Sequence, residues 1–74
     1  MTDAQNTLKT AQDEAAEIYL PTMPIHYKRV CRAIECAHAR DWIGFESALR
    51  GLGPLAQKDV RRICEENGLS RNAA

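Results

Sequence analysis

No apolar run in the sequence approaches the roughly 18 residues that read as a membrane span. The opening, Met1-Thr2-Asp3-Ala4-Gln5-Asn6, has neither the basic n-region nor the apolar h-region of a secretory signal. Cysteine is sparse: Cys31, Cys36 and Cys64 are odd in number and fall at no disulfide-framework spacing. These absences lead us to expect a cytoplasmic chain with reduced thiols. Net charge is absent too, ten Lys and Arg balancing ten Asp and Glu, which withholds the strong positive field of a dedicated nucleic-acid binder. No glycine-rich nucleophile turn or oxyanion loop is present, and so short a chain leaves little room for a substrate cleft. We therefore expect no enzyme activity, no catalytic residue and no cofactor. Large aromatics are scarce as well, with one Trp, one Phe and two Tyr in 74 residues. A chain of this length buries only about 60% of its unfolded surface, so its stability is slight unless something supplements the core.

What is present is helical period, with no sustained alternation of the kind that marks strands. The pattern predicts an all-α fold, a single domain over 1–74 built as a small bundle of three to four short helices at about 3–19, 25–40, 41–52 and 54–67. In the first segment Asp3 reads as the N-cap, and Leu8, Ala11, Ala15 and Ile18 form one stripe. Two alanines make that stripe shallow, so the acidic helix at 1–20 is expected to stand partly apart. Leu20-Pro21-Thr22-Met23-Pro24 breaks it, because each proline disfavours helical geometry in the residue before it. The second segment places Tyr27, Val30, Cys31, Ile34 and His38 on one face. Asp41 reads as the N-cap of the third, whose stripe of Trp42, Phe45, Leu49 and Leu52 is expected to hold the centre of the core. Gly51-Leu52-Gly53-Pro54 ends it. The fourth turns Ala56, Val60, Ile63 and Cys64 inward, and Asn67-Gly68-Leu69 predicts a Schellman cap with Gly68 left-handed. Residues 70–74 read as a frayed tail.

Several constellations invite a sharper reading. Cys31, Cys36, His26 and His38 carry metal-ligand chemistry, but on a helix the two thiols lie about 140° apart, and Cys31 and His38 are roughly 10 Å apart along the axis. Zinc prefers closer pairs, so no metal site is expected; buried cysteine acting as a small hydrophobe is the simpler reading. His38 beside Asp41 reads as a core-edge histidine. A helix-turn-helix needs a glycine in its turn flanked at fixed offsets by small or apolar residues. Gly51 brings Ser47 and Gln57, Gly53 brings Leu49 and Asp59, and Gly68 leaves too little chain for a recognition helix. The motif fails at each. The stretch 37–49, with its Asp41-Trp42 pair at the turn and its small-and-large apolar stripe, resembles the helix hairpin of a tetratricopeptide repeat. The likeness covers about thirteen residues and has no second copy at a period near 34, so it reads as convergent hairpin chemistry.

The remaining signals concern surfaces. Residues 1–24 carry Asp3, Asp13, Glu14 and Glu17 against Lys9, and the rest of the chain holds the balancing bases. An acidic first helix beside a basic remainder suits intramolecular pairing or head-to-tail association. Ile43 falls off its stripe, and Tyr19, Leu20, Met23 and Ile25 cluster at the proline loop; exposed together, such residues form an interface-type patch. By elimination the expected function is a protein-binding module acting stoichiometrically on a larger partner. Size and style suggest a phage- or plasmid-type accessory inhibitor or regulator in a bacterial cytoplasm, aimed at a host enzyme, transcription or defence complex. The expected contact residues are Met23, Tyr27, Lys28, Arg29 and Arg32; Asp13, Glu14 and Glu17 would serve a basic partner instead. One alternative is a nucleic-acid-associated regulator setting Arg29, Arg32, Lys58, Arg61 and Arg62 against phosphates. Another is a homodimer through Leu8, Ala11, Ala15 and Ile18.

Overall fold

Prolines, glycines and an aspartate cut the chain into its helices. A computed structural model describes the backbone of residues 3–69 and the side chains of residues 6–69. Among these it gives four helices and no strand: α1 (Asp3–Tyr19), α2 (Pro24–His38), α3 (Trp42–Arg50) and α4 (Pro54–Glu66). The side chain of Asp3, expected to cap α1, and the tail at 70–74 lie outside what is described. Pro24 and Pro54 each open a helix, where a missing N–H costs nothing. Thr22 closes α1 by donating its hydroxyl to the Ile18 carbonyl at 2.9 Å. Asp41 caps α3, its Oδ1 accepting from the Gly44 N–H at 3.0 Å.

Two helices end in Schellman motifs. After α4, Gly68 takes φ = 72°, and Gly68 and Leu69 donate to the Glu65 and Cys64 carbonyls at 3.1 and 2.7 Å. After α2 the same pair of bonds forms around Arg40, at φ = 63°, with Arg40 and Asp41 donating to Ala37 and Cys36 at 3.1 and 2.8 Å. That cap stops α2 at His38, two residues short of the expected end.

α2 is the central element, packing against α1, α3 and α4, while α1 also packs on α4. The largest fully buried side chains are Ile34, Leu49, Ile63, Val30, Val60 and Cys64, each aliphatic contributing about 1.5–3 kcal/mol by leaving water. Alanines are buried among them: Ala11 and Ala15 on α1, Ala33 and Ala37 on α2, Ala48 on α3.

Three expectations change. The core face of α2 is Val30, Ala33, Ile34 and Ala37; Tyr27, Cys31 and His38 sit half-buried on its flank. A wheel read by large side chains is pulled away from alanines, yet alanines let helices approach. Trp42 is not at the centre of the core but at its rim, edge-on to Phe45 with ring centroids 5.5 Å apart. Finally, α1 is an integral layer. Ala11 and Ala15 are 0% exposed, and Leu8 and Ile18, the other two residues of the stripe offered as an alternative dimer seam, are partly buried against the core.

Candidate functional site

Both the α1–α2 and α3–α4 connections fall at one end of the bundle, together with the first turns of α2 and α4. This end is apolar. Leu20 (48% exposed), Met23 (53%), Ile25 (83%) and Leu55 (80%) project from it. Beside them runs a groove of about 380 Å³ lined by Ile18, Tyr19, Met23, His26, Leu55 and Ala56. Its polar points are few. The Tyr19 hydroxyl donates weakly to the Ala56 carbonyl and to Asp59 Oδ2, both at 3.5 Å. Burial first, then the Asp59 charge and its hydrogen bond, push the phenol above its ordinary pKa, so it stays a neutral donor. The Nδ1 atom of His26 is buried with no hydrogen-bond partner among the described residues.

A second surface continues from the first along α2. Ile25, Lys28, Arg29 and Arg32 stand at the spacing of one helical stripe, and all four are exposed. Tyr27, Lys28, Arg29 and Arg32 line a shallow depression of about 450 Å³ with Cys31 and Glu35. Four of the five expected contact residues therefore share one surface, and Met23 lies at the apolar end. Arg29 reaches across Gly51 at the C-cap of α3, where helix carbonyls favour a cation. Tyr27 lies beside Cys31, whose side chain raises the Tyr27 pKa.

The third set, Lys58, Arg61 and Arg62, also lies together, lining a depression of about 400 Å³ with Asp59 and Glu65. Its arginines already hold carboxylates. Arg61 makes a two-pronged contact to Glu46 at 2.9 and 3.1 Å and sits 5.7 Å from the Phe45 ring centroid. Arg62 reaches Glu66 at 3.2 Å and Glu14 at 3.5 Å. Glu14 also accepts from Asn67 Nδ2 at 3.5 Å, so of the acidic trio only Asp13 and Glu17 point fully into solvent. The charge asymmetry of the sequence is thus met partly inside the chain.

The cysteines and histidines are kept apart. Cys31 flanks Tyr27, Cys36 lies against Gly44 of α3, and Cys64 is in the core. His38 lines a cavity of about 250 Å³ at the opposite end, with Thr7, Ala37, Arg40, Asn67 and Leu69. Among the described residues no cluster of His, Cys, Asp or Glu could hold a metal ion. No described helix is long and apolar enough to cross a membrane.

Sequence reasoning missed His26 and Leu55 as members of the apolar end. For Leu55 a signal existed: it falls off the inward stripe of α4, next to Pro54, as an aliphatic with no assigned place. For His26 there was none, because its surroundings come from α1 and the α3–α4 loop. Comparison with known proteins finds no matching family model, no matching curated protein and no matching solved structure.

Proposed function

We propose that this chain is a small protein-binding module that engages a larger protein stoichiometrically through the apolar end of its bundle. One observation carries the reading: Met23 from the α1–α2 connection and Leu55 from α4 are exposed over one groove, with Leu20 and Ile25 exposed at the same end of the bundle. Contiguous apolar patches on soluble proteins mark interaction sites, whereas scattered apolar residues need no explanation. Lys28, Arg29 and Arg32 form a basic border on the α2 side, giving the polar rim around an apolar centre that protein interfaces show. A module of this size works by blocking or bridging, the style of phage and plasmid accessory proteins that inhibit or regulate host enzymes, transcription or defence complexes. The nucleic-acid alternative has less support, because phosphates would compete with Glu46, Glu14 and Glu66 for Arg61 and Arg62.

The test is affinity capture from native-host extract on immobilised wild type, Leu55→Asp and Ile43→Asp. Ile43 is 87% exposed but lies in the first turn of α3, at the other end. Charging a residue at an interface centre costs at least about 2 kcal/mol, or roughly thirtyfold in affinity. We expect the partner on wild type and Ile43→Asp and its loss on Leu55→Asp. Equal capture by Leu55→Asp, or retention of duplex nucleic acid that falls steeply with salt, would overturn the reading.

A further inference from the structure

We propose that the protein engaged at the apolar end also lays an acidic helical segment along the outer face of α2. The inference rests on the reading of that end as a protein-contact surface and names the chemistry of what binds beside it. Three bases carry it. Lys28, Arg29 and Arg32 are all exposed, on the side of α2 opposite the buried Val30, Ala33 and Ala37. None of the three pairs with a carboxylate among the described residues. Arg61 and Arg62 on α4, by contrast, already face Glu46, Glu14 and Glu66.

Placement decides the kind of partner. Ile25, Lys28, Arg29 and Arg32 follow the spacing of one helical stripe, so the bases run away from the apolar end for about 10 Å, or two turns. A helix with carboxylates at the same spacing matches that run, and Ile25, 83% exposed, offers it an apolar contact at the start. Acids bound the run. Glu35 closes the depression one turn beyond Arg32, and Asp13 of α1 stands near Tyr27 at its flank. Both repel an acidic segment that strays, which fixes its register. The Arg29 guanidinium fills the space beside Gly51 that any Cβ would need, so it is positioned before binding.

Other anionic surfaces fit less well. A membrane would meet the apolar end face-on, yet the bases run along the side of the bundle and Asp59 lines the groove at that end. A duplex would set phosphates against Ile25, and a formal net charge of zero gives no long-range attraction.

NMR titration of the full chain with a short helical peptide tests this. The peptide carries one leucine, with glutamates three, four and seven residues from it. Wild type binds it with a dissociation constant of roughly 0.1–1 mM, because exposed ion pairs are individually weak, and the shifted amides lie in residues 25–32. Binding weakens about tenfold when the peptide glutamates become glutamines, and equally in Arg32→Glu. Lys9→Glu, which alters the net charge by the same amount from α1, binds within about twofold of wild type. No shift up to about 5 mM peptide, equal binding of the glutamine peptide, or full binding by Arg32→Glu overturns the proposal. So does tighter binding of duplex DNA or of phosphatidylserine vesicles. Capture from native-host extract separates this inference from the one beneath it. A host partner lost in Leu55→Asp but kept in full by Arg32→Glu removes the acidic segment and keeps the apolar site. A partner lost in Arg32→Glu but kept in full by Leu55→Asp does the reverse.

Discussion

Arg40 holds a left-handed backbone, φ = 63°, to let the α2 cap close. An L-residue with a Cβ pays about 1–2 kcal/mol for that conformation, and glycine avoids it. Arg40→Gly should therefore stabilise the fold by about 0.5–1 kcal/mol in urea unfolding, the cost being reduced by the freer unfolded chain. Cys64 offers a second residue-scale test. Burial pushes its thiol up to about 11, above the ordinary value near 8.5–9. The unfolded thiol ionises first as pH rises, so the stability it confers is complete below about 9 and is lost as pH climbs to about 11. That loss is on the order of 2–3 kcal/mol, and it should be smaller by this amount in Cys64→Ala when the two are unfolded at pH 8 and pH 11. The two left-handed caps also show what could be read from sequence at this scale. Gly68 announces itself, because glycine before an aliphatic at a helix end has one common use. Arg40 does not, because nothing in an arginine marks that backbone; the bonds to Ala37 and Cys36 impose it.

α3 has only nine residues, too few to persist on local propensity. It depends on its cap and on Phe45, Ala48 and Leu49 below it. Asp41→Ala should cost about 1 kcal/mol, measured as a shift in urea midpoint at unchanged slope. Gly44 sits where an added Cβ would strike the capping Asp41 carboxylate and crowd the Cys36 sulphur to 3.0 Å. Helix boundaries were legible to within about two residues, because proline, glycine and the Asp41 cap act locally. The facing of the helices was less so. Periodicity found the inward side of α4, where Val60, Ile63 and Cys64 are both apolar and large. It misplaced the face of α2, where Ala33 and Ala37 are chosen for closeness and Tyr27 and His38 only flank the seam.

At the scale of the whole molecule, four of the exposed large apolar side chains, Leu20, Met23, Ile25 and Leu55, gather at one end of the bundle. The cluster of Leu20, Met23 and Ile25 was visible as adjacent residues around the prolines. Its completion by Leu55 was not, since only the tertiary fold brings the start of α4 beside that loop. Residues this exposed contribute little to folding. Leu55→Asp and Ile25→Lys should each leave the unfolding free energy within about 0.5 kcal/mol of wild type, while Leu55→Asp weakens capture. A drop of several kcal/mol in either variant would instead mark the end as part of the core.

The cavity at the opposite end has a practical consequence. It is lined by Thr7 near the start of α1 and by Leu69 beyond α4, so the described chain is entered and left on the same side. Anything attached at Thr7 or Leu69 themselves, whether a dye, a resin or another domain, sits at the pole remote from Met23 and Leu55. Attachment through either route leaves the greasy pole facing outward, which suits the molecule to display on a surface.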